Sequence, residues 1–85
     1  MKIISFEPQA WEDYLYWQNN DKVMFKKINS LIKEIQREPF SGVGKPESLK
    51  NDLSGFWSRR INQEHRLVYT LIDDNLVIAQ CRLHY

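Results

Sequence analysis

The sequence predicts an α+β domain in which two N-terminal helices pack on one face of a small, mainly antiparallel β-sheet. Three observations lead there. Between Pro8 and Arg37 the apolar residues recur at helical spacing. After Gly55 they alternate as in strands, and the breaks between the later runs are short, polar and hairpin-like. Helices first and an antiparallel meander after them place the helices on one side of the sheet.

Residues 1–6 form a short β-prone segment. Pro8 suits the first position of a helix, where its missing N–H costs nothing. Trp11, Tyr14, Leu15 and Trp17 then mark the buried face of a first helix running to about Gln18. Asn19 and Asn20 break it, and Asp21 caps a second helix. In that helix Met24, Ile28, Leu31, Ile32 and Ile35 follow the spacing of one buried stripe, while Lys22, Lys26 and Lys33 lie off it. Pro39 disfavours helical geometry in the residue before it, so the helix should stop near Arg37 or Glu38. Residues 39–47 hold two of the three glycines and two of the three prolines and read as a loop laid across the scaffold. Strands are expected over residues 56–62, 65–72 and 75–83.

The chain has 85 residues, enough for a single domain, which spans residues 1–85. A chain this size buries only about 60–65% of its unfolded surface. The composition is that of a globular protein, with 42% hydrophobic and 27% charged residues. No run is long enough to cross a bilayer, and no signal-peptide apolar core precedes Glu7, so a cytoplasmic location without membrane contact is expected. A single cysteine excludes an internal disulfide framework and a cysteine-rich zinc site. Two histidines nineteen positions apart are a poor metal site, so neither a metal nor another cofactor is expected. The net charge of +1 says nothing about nucleic acid by itself. Basic residues do gather in the second half, and a basic patch needs no basic protein.

Strand alternation assigns the faces. Trp57 and Ile61, then Leu67, Tyr69 and Leu71, then Val77, Ala79, Cys81 and Leu83 are expected to meet the helices. Ser58, Arg60, Asn62, Arg66, Val68, Thr70, Ile78, Gln80, Arg82 and His84 then lie on the open face. Arg59 falls on the covered face and must reach an edge or find an acid. The scheme assumes no β-bulge, because one extra residue reverses the faces beyond it.

Arg60, Arg66, Arg82 and His84 thereby share one surface, and arginine offers a planar fork to phosphate oxygens. A loop along the rim can bring Glu47 to the same place. A carboxylate, an arginine and a histidine are sufficient parts for metal-free RNA cleavage by attack of a ribose 2′-OH on the adjacent phosphorus. A terminal tyrosine can stack on a base. Taken singly, each part has a plainer reading: Glu47 as a loop carboxylate, Arg66 as a surface arginine, His84 as a solvated terminal residue, Tyr85 as a lid on the core edge. His65 shares parity with Leu67 and reads as structural. The tryptophans read as core, and the helix lysines, Lys27 included, as a solvated face. Cys81 reads as inert.

Residues 11–17 (WEDYLYW), 44–47 (GKPE), 55–61 (GFWSRRI), 64–69 (EHRLVY) and 81–85 (CRLHY) together carry a resemblance. The chain resembles the YoeB-type toxins of the RelE/ParE superfamily, nearly end to end. It departs at Leu83, where the family often has an aromatic, and at Ser48, where it often has proline. The resemblance implies a RelE-like fold and a ribosome-dependent mRNA endonuclease that cuts in the ribosomal A site. It implies Glu47 as general base, His84 as general acid, Arg66 as stabiliser of the transition state and Tyr85 as a nucleotide-positioning group. Lys45, Lys50, Arg59 and Arg60 become candidate contacts to phosphate or ribosomal RNA. A cognate YefM-type antitoxin and a homodimer are the implied protein partners. Two other readings stay open at this point: a ParE-like toxin that inhibits DNA gyrase without being a nuclease, and a plain ribosome- or RNA-binding module.

Overall fold

The computed structural model describes residues 3–83. The chain runs β1 (Ile4–Phe6), α1 (Pro8–Asn20), α2 (Lys22–Arg37), β2 (Glu47–Ser48), a 3-10 turn (Asn51–Leu53), β3 (Trp57–Arg60), β4 (Arg66–Ile72) and β5 (Asn75–Gln80). The strands form one sheet in the order β1-β5-β4-β3-β2. β1 runs parallel to β5 and every other pairing is antiparallel, so the α+β layout with a mainly antiparallel sheet is the observed one. The short strand β2 begins at Glu47, the last residue of the stretch that reads in sequence as loop. Glu47 and Ser48 are strand only because Ser58 and Trp57 stand opposite them.

One residue joins the helices. α1 continues through Asn20, and Asp21 is both its C-cap and the N-cap of α2. The Asp21 carboxylate accepts hydrogen bonds from the backbone N–H groups of Val23 and Met24, both at 3.1 Å, while its own N–H donates to the Trp17 carbonyl. Two of the N–H groups that a helix start leaves without partners are thereby satisfied. α2 buries Met24, Ile28, Leu31, Ile32 and Ile35, the expected stripe. Each such side chain contributes about 1.5–3 kcal/mol when fully buried.

Of the stripe expected on α1 only Trp17 is buried, and Ala10 and Asp13 are buried with it. Trp11 is 47% exposed and belongs to a surface aromatic cluster with Phe6 and Tyr14, at ring separations of 5.6 and 5.8 Å. Hydrophobicity alone ranks a tryptophan above an aspartate for burial. Here Asp13 has a buried partner, the Cys81 N–H, which donates to its carboxylate at 3.0 Å.

On β5 the face assignment is corrected. Leu76 and Ile78 are fully buried in the core with Tyr69 and Leu67, whereas Val77 and Ala79 are only half-buried. The cause is a bulge: Tyr69 pairs with Ile78, but the preceding Val68 pairs with Gln80, so Ala79 is extra. Alternation therefore reverses across Ala79, and Cys81 returns to the core in phase with Ile78.

Candidate active site

The face of the sheet turned away from the helices is built in rows. Glu47 stands opposite Ser58, Ser58 opposite Val68, and Val68 opposite Gln80. In the next row Arg60 stands opposite Arg66. Like charges across an antiparallel pair repel. Glu47 supplies the counter-charge: its Oε1 lies 3.5 Å from Arg66 Nη1. The Arg66 side chain is 17% exposed and that of Glu47 58%, so the fold holds the guanidinium and leaves the carboxylate open to solvent. At this distance the pair is loose, and both groups can turn to a third partner.

Lys45 follows a turn that only glycine adopts easily. Gly44 has φ +87°, and a Cβ there would meet the Arg60 carbonyl at 3.1 Å and Leu31 at 3.2 Å. The Gly44 carbonyl accepts from the Arg60 N–H at 2.7 Å, which sets Lys45 beside Arg60. A surface pocket of about 330 Å³ opens there, with Lys27, Lys45 and Arg60 in its lining. Lys27 comes from α2 and reads in sequence as one more solvated helix lysine. Only the docking of the loop on α2 brings it to this rim. Lys50 is exposed at the head of the 3-10 turn. A larger cavity, about 510 Å³, lies between β1 and the helices and includes none of the candidate residues.

Arg59 is corrected as a phosphate contact. It is fully buried, and its guanidinium donates to the carbonyls of Glu38, of Ser41 at 2.9 Å and of Val43 at 2.9 Å. Its Nε also donates to the Tyr69 hydroxyl at 3.1 Å, and that hydroxyl donates to the Pro39 carbonyl at 2.7 Å. Instead of reaching an edge or an acid, Arg59 clamps the loop that leads to Glu47. Backbone carbonyl oxygens accept the hydrogen bonds of the buried guanidinium. Burial raises the Tyr69 pKa, with Arg59 partly offsetting it.

Arg82 is not on the open face either. Strand β5 ends at Gln80, and the Arg82 guanidinium lies 3.6 Å from the centre of the Tyr16 ring on α1, a cation–π contact. Leu83 has φ +64°, so strand alternation no longer applies. His84 and Tyr85, the candidate acid and nucleotide-positioning group, lie outside the described residues. The chain leading to them is firmly attached. The Cys81 carbonyl accepts from Trp17 Nε1 at 2.8 Å, and the Arg66 N–H donates to the Leu83 carbonyl at 3.2 Å. His65 is buried with its ring edge-on to Trp17, centroids 4.8 Å apart, as a structural reading requires. Burial, reinforced by nearby Asp13, pushes the Cys81 thiol up to about 12. Among the described residues, no group of three or more His, Cys, Asp and Glu is placed to hold a metal ion. Among the described residues, no helix is long and apolar enough to cross a membrane.

The sequence profile of the YoeB-like toxin of bacterial type II toxin-antitoxin systems matches residues 6–85. The chain belongs to this family. It is 64% identical to toxin YoeB of Escherichia coli (strain K12) over 85 residues, all of both chains. Among solved structures, the YoeB dimer from Staphylococcus aureus superposes with a TM-score of 0.90 at 58% identity, covering 98% of this chain and 97% of that one. The YoeB-YefM complex from the same organism superposes at 0.91 with 55% identity and full coverage of both chains. The likeness spans both helices and the whole sheet, so the Glu47–Arg66 face belongs to a YoeB-like toxin scaffold.

Proposed function

We propose that this toxin is a ribosome-dependent mRNA endonuclease, acting in the A site without a metal and thereby stopping translation. The observation that carries the reading is the Glu47–Arg66 pair, a solvent-open carboxylate 3.5 Å from a guanidinium held by the sheet. Glu47 takes the proton from the ribose 2′-OH, and that oxygen attacks the adjacent phosphorus. The P–O5′ bond breaks, leaving a 2′,3′-cyclic phosphate on one fragment. His84 gives its proton to the departing 5′ oxygen. Arg66 stabilises the charge that builds on the phosphoryl oxygens. Tyr85 positions the nucleotide. Lys45, Lys50 and Arg60 contact phosphates or ribosomal RNA, and Lys27 joins them from α2.

The relatives' assemblies suggest the protein partners: a YefM-type antitoxin that neutralises the toxin, and a second copy of the chain. A toxin with this target works in the cytoplasm.

Cleavage of mRNA on programmed ribosomes tests the reading, with EDTA present in one arm. Wild type is expected to cut equally with and without EDTA. Glu47→Gln and His84→Ala are expected to cut about 10²–10⁴-fold more slowly. Arg66→Lys should lose about 10²-fold, because a point charge cannot reproduce the fork. Equal cutting by wild type and His84→Ala overturns the assignment of the acid. Absence of cutting by wild type, with inhibition of gyrase supercoiling instead, overturns the activity.

A further inference from the structure

We propose that His65 is a positioning residue, whose Nδ1 latches the Leu83 amide and so fixes the backbone to which the chain's last two residues are joined. The kinetic part of this inference rests on the reading that those residues carry the acid and the nucleotide-positioning group.

The Leu83 N–H donates to His65 Nδ1 at 2.7 Å. The Leu83 carbonyl accepts from the N–H of Arg66, the next residue along. Two adjacent residues at the start of β4 thus hold both backbone polar groups of Leu83. Packing does not do this work, since Leu83 is 51% exposed. Its φ of +64° is uncommon for a residue with a Cβ, and such a conformation persists where its surroundings impose it.

The ring itself is fixed on several sides. The side chain is 10% exposed and meets Trp17 edge-on. Its backbone N–H donates to Asn62 Oδ1 at 2.8 Å, and its carbonyl accepts from the Ile61 N–H at 3.0 Å. Trp17 in turn holds the Cys81 carbonyl through its indole N–H. The latch therefore connects α1, the β3–β4 turn and the C-terminal segment.

The donor at Leu83 fixes the tautomer. Nδ1 must present its lone pair, so the proton of the neutral ring sits on Nε2, which lies 3.4 Å from Glu64 Oε1. A further consequence follows from the chain order. Arg66 directs its guanidinium at Glu47 and its N–H at Leu83, so one strand start registers the C-terminal segment against the base–arginine pair. Small misplacement of a reacting group can cost about 10²-fold in rate.

The test uses the isosteric difference between Asn and Gln. In His65→Asn the amide oxygen falls near the place of Nδ1 and can still accept from Leu83. In His65→Gln the acceptor lies one atom farther out, where Nε2 stood. Two measurements are made: amide hydrogen exchange at Leu83 by NMR, and single-turnover cleavage on programmed ribosomes. Leu83 should be protected in wild type and His65→Asn and unprotected in His65→Gln and His65→Ala. The maximal cleavage rate should drop about 10²-fold in Gln and Ala, with KM changed less than about twofold, and return to within about threefold of wild type in Asn. Equal rates for Asn and Gln variants of equal melting temperature overturn the positioning role. An unprotected Leu83 amide in wild type overturns the latch. If wild type cleaves nothing while Leu83 is protected, the endonuclease reading fails and the latch stands.

Discussion

Arg59 and Arg60 are adjacent in sequence and point to opposite faces of β3, so the same side chain serves two purposes. Arg60 is exposed beside Lys45 on the rim of a basic pocket. Arg59 is fully buried under the loop and donates to the carbonyls of Glu38, Ser41 and Val43 and to Tyr69. Replacing it with methionine keeps much of the volume but leaves those acceptors without a donor. Arg59→Met should lose roughly 2–4 kcal/mol of unfolding free energy, read as a lower urea midpoint. Arg60→Met should leave the midpoint within about 0.5 kcal/mol, as surface changes usually do. A normal midpoint for Arg59→Met would show that the clamp contributes nothing. Alternation showed which of the two arginines turns inward. It could not show that backbone carbonyls from residues 38–43 would meet it, because those carbonyls belong to no pattern of side chains.

At the scale of elements, the turn between the helices has the simplest chemistry. Asp21 alone separates α1 from α2, and its carboxylate holds two amide groups of the second helix. Asp21→Ala should cost about 0.5–2 kcal/mol, while Asp21→Asn or Asp21→Ser should keep most of it. Thermal melts of the three variants check this, and equal losses in all three would mean that the cap is not the source. The cap and the α2 stripe were both legible, since each is a local pattern of residue types. The α1 face, Trp17 apart, and the alternation along β5 were not. Asp13 is buried because Cys81 offers it an N–H, and Ile78 is core because Ala79 is bulged out of register. Both depend on pairing with a distant segment.

For the whole molecule, Cys81 reports on the integrity of the fold. Its thiol is packed beneath α1, donates weakly to the Ala10 carbonyl at 3.7 Å, and is pushed by burial from 9.0 up to about 12. The unfolded chain loses that proton from about pH 9, while the folded chain keeps it. The native state thus binds more protons in this window, and its stability falls as pH rises from 9 towards 12. The raised pKa of Tyr69 acts in the same direction. Urea midpoints should hold steady up to about pH 9 and decline above it, with a shallower decline in Cys81→Ala. An identical slope in that variant would remove Cys81 as a contributor. The native thiol should also resist alkylation until the chain unfolds.

The sequence by itself determined the fold class, the buried stripe of α2, the cap between the helices, and the residue types from which a phosphate-directed site can be assembled. These are decided by local spacing and by intrinsic chemistry. Tertiary structure alone decided that Glu47 stands on a strand 3.5 Å from Arg66, that Arg59 clamps the loop, that Arg82 turns to Tyr16, and that His65 holds Leu83. Each of these joins groups at least 16 residues apart in the chain. Such contacts are selected by which buried polar groups find partners when the sheet closes, and that is a property of the closed sheet rather than of any one segment.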